Sequence, residues 1–280
     1  MEKVYTIRYH SQNHYEEPVT EAFFQFLVKP HSGDGQVVTA EKIKISAGDF
    51  FSVKNSFGFN TIRVHSVKPF TEFKIDCEFQ VSRSLIQPEF SAALPVASER
   101  RALYSKGYII DNYLFLKPTP LSVITRKELI PIIRDNQSLI GFLTELNTYV
   151  GTIVAYEQNQ TNVETSAGEV LELKKGVCQD LTHVFIGMAR ANGIAARYVS
   201  GYINQGTGYI GSAMMHAWAE ALVPAIGWVG FDPANNTVSA MDHIKVAHGL
   251  DYKDCSPVKG VLHTKGKNNT RHQVMVAEQQ

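Results

Sequence analysis

The spacing of apolar residues changes period along the chain, and that change divides the sequence. Through the first third the period is two: Tyr5, Ile7 and Tyr9 alternate with polar neighbours, and Phe24, Phe26 and Val28 repeat the pattern. From Glu72 to Val81 it is complete. There Phe73, Ile75, Cys77, Phe79 and Val81 fall on one face and Glu72, Lys74, Asp76, Glu78 and Gln80 on the other, which predicts an antiparallel strand with one wet side and makes Cys77 a small buried hydrophobe. Asn55-Ser-Phe-Gly58 supplies turn residues between the runs 49–54 and 61–67, so this part reads as a small antiparallel sheet or sandwich. From Ile86 to Leu121 four prolines, Pro88, Pro95, Pro118 and Pro120, interrupt the pattern and predict an irregular connector. The division is placed near residue 90: a β-rich domain over 1–90 and a core with C-terminal strands over 91–280.

Beyond the connector the period becomes helical. Leu139, Phe142, Leu143, Leu146, Tyr149 and Val150 mark one face of a helix from Ser138 to Thr152. Thr165 to Leu171 predicts a short capped helix, with Ser166 or Thr165 as N-cap and Glu169 completing a capping box. Gly176-Val-Cys-Gln-Asp180 then opens a run in which Leu181, Val184, Phe185, Met188 and Ala189 share a face, ended by Asn192-Gly193. Met215 to Glu220 and Trp228 to Asp232 read as the two strands of a hairpin. The fold class is therefore α+β, an antiparallel β domain followed by a helix packed on an antiparallel sheet.

Composition narrows the partners. The 280 residues are 44% apolar and carry 27 Lys+Arg against 27 Asp+Glu, a formal net charge of zero. Nothing in that balance favours nucleic acid or an anionic membrane. The start, MEKVYTIRYHS, lacks the apolar core of a secretory signal, and no apolar run has the roughly 18 residues of a spanning helix, so the expectation is a soluble cytoplasmic protein. Cys77, Cys178 and Cys255 are too few and scattered for a disulfide framework or a paired C-x-x-C zinc site. No metal or cofactor is expected, and no acidic loop has calcium-ligand spacing.

Cys178 is set apart by its place in the first turn of a helix. Unpaired N–H groups and the positive end of the helix dipole lower a thiol pKa there, and the Cys178 backbone N–H can donate to an oxyanion. The partners follow from register. If the residues joining the hairpin strands are odd in number, with Val223 to Gly227 as the loop, Leu222 faces Trp228, Trp218 faces Asp232, and Asp232 shares a sheet face with His216, diagonal to it. An even loop sends the two to opposite faces. On the odd register Cys178 is a nucleophile, His216 its base and Asp232 the residue that fixes the imidazole, with an acyl-thioester as the intermediate.

Blander readings stand beside these. A free cysteine most often simply packs in a core. Asp180 reads as favourable charge in the first helical turn, and His183, about 140° around the ~100°-per-residue helix from Cys178, as a structural hydrogen-bonding group. Trp218 and Trp228 read as core. His10, His14, His243, His248, His263 and His272 have no identifiable partner in the sequence.

Gly176-Val-Cys-Gln-Asp180, Gly193-Ile-Ala-Ala-Arg-Tyr-Val-Ser-Gly-Tyr202, His216-Ala-Trp218 and Gly227-Trp-Val-Gly-Phe-Asp-Pro233 together resemble the transglutaminase-like superfamily, its bacterial branch in particular. The N-terminal strands resemble the β-rich domain that often precedes the core in bacterial members, and Gly249 to Val258 resembles their tail. The resemblance implies a papain-like core and a triad of Cys178, His216 and Asp232. It fixes no outcome, because relatives include transglutaminases, deamidases, peptidases and members without known activity. Animal members use a tryptophan upstream of the cysteine in the oxyanion hole; here both tryptophans lie downstream, leaving Gln179 and Tyr156 as candidate second donors. The expected function is a cysteine peptidase or amidase acting on a peptide or protein. The alternatives are acyl transfer from glutamine, a non-catalytic binding protein on the same fold, and a zinc site built from cysteine, histidine and aspartate. Oligomeric state is not readable.

Overall fold

The computed structural model describes residues 2–84, 93–204, 208–210 and 214–279. Six strands occupy the first 84 residues: β1 (Glu2–Val19), β2 (Glu21–Phe26), β3 (Gln36–Ile45), β4 (Asp49–Lys54), β5 (Asn60–Ser66) and β6 (Phe70–Ser84). Period-two patterning has its expected consequence in β6, where Phe73, Ile75, Cys77, Phe79 and Val81 are all buried. Asn55 closes the β4–β5 turn by accepting at Oδ1 from the backbone N–H groups of Phe57 and Phe59.

Two sheets form this sandwich, and both are completed from the far end of the chain. Strand β15 (Asn268–Glu278) pairs with β1 in the order β15-β1-β6-β3, and β14 (Val258–His263) pairs with β2 in the order β14-β2-β5-β4. Each C-terminal strand extends a sheet that would otherwise end at β1 or β2. The division placed near residue 90 falls outside the described residues.

The connector is more regular than its prolines predict. Helices α1 (Val96–Leu103), α2 (Lys106–Asp111) and α3 (Tyr113–Leu116) occupy much of it. The described prolines lie outside these helices: Pro95 is the N-cap of α1, and Pro118 and Pro120 follow α3. Between them Val-Ala-Ser-Glu-Arg-Arg-Ala-Leu is built mostly of good helix formers. Proline at a helix start marks a boundary and not an irregular segment.

The core follows the predicted order. Helix α4 (Leu139–Ile153) is capped by Ser138, whose Oγ accepts from the Gly141 N–H; β7 (Ala155–Tyr156) pairs in parallel with β8 (Lys175–Gly176); and between them α5 (Ala167–Leu173) carries the Ser166/Glu169 capping box. Helix α6 (Cys178–Ala191) packs on the antiparallel sheet β12-β11-β10-β9-β13, formed by β9 (Ala196–Ile203), β10 (His216–Val223), β11 (Gly227–Asp232), β12 (Thr237–Val238) and β13 (His243–Gly249). Every residue of β9 is buried, as befits a strand covered on both faces. A short helix α7 (Tyr252–Cys255) leads out to β14.

Candidate active site

The β10–β11 hairpin decides whether a site exists. Val223 pairs with Gly227, Leu222 with Trp228 and Ala219 with Phe231, which is the register that the odd loop requires. The turn is Pro224-Ala225-Ile226, with Ala225 at φ 64° and Gly227 at φ 102°. His216 at the start of β10 and Asp232 at the end of β11 therefore face the same side, and His216 Nε2 lies 2.7 Å from Asp232 Oδ2. Both side chains are wholly buried. Gly201, opposite His216 on β9, makes this packing possible: a Cβ there would stand 2.5 Å from the Trp218 ring and 2.3 Å from the Ile244 carbonyl oxygen.

Cys178 sits at the first position of α6 and is 9% exposed. The chain reaches it through a tight turn in which Asp180 accepts from the Val177 N–H at 2.8 Å and the Thr161 hydroxyl at 2.6 Å. Gly176 is needed because a Cβ would meet the Asp180 Cβ at 2.7 Å. Asp180 does more than add charge to the first turn: it is buried and ties the 157–162 loop to the helix start, and burial raises its pKa.

The electrostatics of His216 follow from its neighbours. Burial alone would lower its pKa, but the Cys178 sulfur and the Asp232 carboxylate outweigh burial and push the imidazole up to about 10. With Asp232 on Nε2, Nδ1 is the ring nitrogen left for Cys178; it bonds to no other described residue. The carboxylate is held by more than His216. Asn235 Nδ2 donates to Oδ2 at 2.8 Å, and the backbone N–H groups of Ala234 and Asn235 donate to Oδ1 at 3.1 and 3.3 Å. His243 Nε2 reaches Oδ2 at 3.1 Å. Although burial opposes ionisation, His216, His243 and their hydrogen bonds hold the Asp232 carboxyl well below the usual carboxylate range.

Sequence reasoning identified Cys178, His216 and Asp232, which come together, and missed His243 and Asn235. Asn235 was legible in retrospect as the third residue of a turn after Asp-Pro. His243 carries no signal, since it begins a strand in a different part of the sheet. Tyr156 lies beside Cys178 through the β7–β8 pairing of Tyr156 with Gly176, and burial together with the charges of Cys178 and Asp232 raises its phenol pKa. Gln179 is half-buried next to the cysteine. His183 has the expected structural role, accepting the Tyr252 N–H at 3.2 Å, and burial lowers its pKa to about 3. His216, Asp232 and His243 are also the one group of His, Cys, Asp or Glu side chains among the described residues compact enough to suggest a cation. Two hydrogen bonds join its members, from His216 Nε2 and His243 Nε2 to Asp232 Oδ2.

An α+β core with a cysteine opening a helix and a histidine–aspartate pair on the adjoining antiparallel sheet is the papain-like arrangement. Residues 130–233 match the transglutaminase-like superfamily core, and residues 5–82 match the bacterial transglutaminase-like N-terminal region. The chain thus carries a transglutaminase-like core preceded by a bacterial transglutaminase-like N-terminal region. An uncharacterized protein of Mycobacterium tuberculosis is 26% identical over 95% of this chain and 89% of its own length, and one of Mycobacterium leprae is 26% identical over 90% of each. The crystal structure of a "Putative Cysteine Protease" from Cytophaga hutchinsonii superposes with a TM-score of 0.78 at 19% identity, covering 99% of this chain and 91% of that one. The shared fold thus runs through sandwich and core alike.

Proposed function

We propose that this protein is a thiol hydrolase that cleaves peptide or amide bonds, with Cys178 as nucleophile, His216 as general base and acid, and Asp232 as the group that fixes the imidazole. The observation that carries the reading is the buried 2.7 Å bond between His216 Nε2 and Asp232 Oδ2, which leaves Nδ1 for a cysteine at a helix N-terminus. A free thiol of pKa about 8.5 is only a few per cent ionised at neutral pH. An imidazole of raised proton affinity takes the thiol proton and holds it as imidazolium, and Asp232 stabilises that charge. The thiolate attacks the carbonyl carbon and the oxyanion forms beside the Cys178 backbone N–H, unpaired within the helix as the first N–H groups of helices are. His216 then gives its proton to the leaving amine. Water, deprotonated by the neutral imidazole, adds to the acyl-thioester and releases the acid and the thiol.

Transfer of the acyl group to an amine shares every step but the last. Hydrolysis is favoured because the balanced charge offers no acidic seat for a lysine acceptor. All three cysteines are free and buried, which supports a reducing compartment such as the cytoplasm. Among the described residues no helix is long and apolar enough to cross a membrane.

The test is alkylation of Cys178 by iodoacetamide across pH 5–9, located by mass spectrometry, followed by a screen of labelled peptides and of a labelled primary amine. Fast reaction at Cys178 alone, dependent on His216, supports the reading. A thiol as inert as Cys77 overturns it in favour of a binding protein, and Cys178-dependent amine incorporation replaces hydrolysis with transfer.

A further inference from the structure

We propose that His243 is a positioning residue that shares Asp232 with His216, and that the N-terminal sandwich holds it in place; the proposal rests on the thiol-hydrolase reading above. Asp232 Oδ2 receives three side-chain donors, from His216 at 2.7 Å, Asn235 at 2.8 Å and His243 Nε2 at 3.1 Å. The second histidine is 1% exposed, edge-on to Trp218 with ring centroids 5.2 Å apart, and 5.8 Å from the Tyr209 ring. Its Nδ1 accepts the backbone N–H of Ala240 at 3.4 Å. That bond fixes the tautomer: the proton is on Nε2, and His243 meets the carboxylate as a neutral donor.

The segment carrying His243 is framed from outside the core. The Arg83 guanidinium, at the end of β6, donates to the Ala240 carbonyl at 3.2 and 3.4 Å, the same residue whose N–H holds His243 Nδ1. Tyr5 of β1 donates its hydroxyl to Asp242 at 3.1 Å. Gln36 at the start of β3 brackets Lys245, donating to its carbonyl at 2.7 Å and accepting its N–H at 2.9 Å, while the His31 N–H reaches that carbonyl at 2.9 Å. Positions 240, 242 and 245 are therefore all fixed by the first 84 residues. Within the core, pairing of His243 with Ile203 on β9 adds to this frame.

The consequence is electrostatic. A neutral N–H aimed at a carboxylate draws off part of its negative potential, here on the oxygen that faces the His216 ring. Without His243, Asp232 bears more fully on His216 and the imidazolium keeps its proton to higher pH, which slows delivery to a leaving amine. The charged and titratable groups facing His243 are Asp232 on β11, His216 on β10, Tyr209, Arg83 and, on its own segment, Asp242. Burial is the largest influence and, with His216 and Arg83, outweighs the pull of Asp232 and lowers the His243 pKa, so the ring stays neutral while His216 is charged.

The experiment uses the full chain and compares alkylation of Cys178 by anionic iodoacetate with that by neutral iodoacetamide from pH 6 to 11. Because the imidazolium attracts the anion, the ratio of the two rates falls as His216 loses its proton. His243→Phe, which keeps the bulk but removes the donor, is expected to move that fall upward by about one pH unit. His243→Gln, which can restore an N–H donor, is expected to return it to the wild-type position. Arg83→Met, which leaves every side chain of the site intact, is expected to move it the same way by less, and it carries the test if the Phe variant does not fold. A loss of packing alone lowers both rates without moving the fall. An unmoved or downward-moving fall in His243→Phe overturns the role of His243. A shift in His243→Phe with none in Arg83→Met overturns the part assigned to the sandwich. If His216→Ala leaves Cys178 alkylation unchanged, the hydrolase reading itself is lost, an outcome distinct from either.

Discussion

Cys77 and Cys178 are both buried thiols, one in the middle of β6 in the sandwich and one at the mouth of α6 in the core, and they differ in everything except burial. Cys77 is 3% exposed, with apolar strand residues on its face and the carboxylates of Asp76 and Glu41 acting on it. Burial, helped by those carboxylates, pushes its thiol up to about 12. Cys178 is 9% exposed, begins a helix and sits beside an imidazole that is backed by a buried carboxylate. A thiol becomes a candidate nucleophile through what it faces.

The same contrast runs through the polar groups of the two regions. In the sandwich, ion pairs such as Arg8 with Glu78 stand in water. In the core, Glu220 on β10 is bonded by Lys245 at 2.9 Å and Arg197 at 2.6 Å, Lys245 also reaches Asp34 of the sandwich, and Arg197 lies over the Trp228 ring at 4.0 Å. Buried charges must satisfy one another, and the Glu220, Lys245 and Arg197 network of the core sheet is buried where the Gln12, His14, Glu72 and Lys74 network of the sandwich lies at the surface.

The largest expected effect is loss of turnover by about 10⁴-fold or more in Cys178→Ala, with Cys77→Ala unaffected, once a substrate is in hand. Equal activity in the two variants would erase the contrast. Next comes stability: Lys245→Met leaves Glu220 with Arg197 as its one cationic partner and should cost about 1–3 kcal/mol in chemical denaturation. In His216→Ala, Cys178 alkylation at pH 7 should fall by about 30-fold, toward the rate of an ordinary thiol a few per cent ionised. One glycine inserted between Ala225 and Ile226 makes the turn even and should lower alkylation to the same degree while leaving both residues present. A wild-type rate in that variant would show that a bulge restores the register.

The pH dependence of folding gives a smaller effect with a definite sign. His216 is raised in the folded state, so its stabilising contribution is complete below its unfolded pKa of about 6.5 and is lost as pH rises toward the folded value of about 10. The decline in denaturation midpoint across that window should flatten in His216→Gln. Asp232 has the opposite sign: its contribution is present above the unfolded value of about 3.9 and is lost as pH falls through the lower folded pKa. The smallest effect is expected of Arg8→Ala, whose exposed partner should leave denaturation unchanged within error.

Local pattern made much of this molecule legible. Alternation along β6 identified its buried face, apolar spacing at the helical period identified α4, the Ser166/Glu169 capping box identified α5, and loop parity stated the condition on which His216 aligns with Asp232. Each of these is a relation between residues near in sequence, where backbone geometry alone fixes which side chains meet. The helices of the connector were masked because proline at a helix start and proline in an irregular segment look alike without capping geometry. His243 was invisible because its partner stands on a strand that is not its neighbour in the sheet, and its tautomer is set by a turn held by Arg83 from the other end of the fold. The sequence by itself determined the strands, the helix that presents Cys178 and the loop parity on which the pairing of His216 with Asp232 depends; the odd register itself came from the structure. Only the tertiary structure decided that a second histidine shares that aspartate, that the last two strands complete the first domain's sheets, and that Asp34, Glu220 and Lys245 join sandwich to core. Contacts between distant segments depend on how whole sheets pack, which no local period encodes.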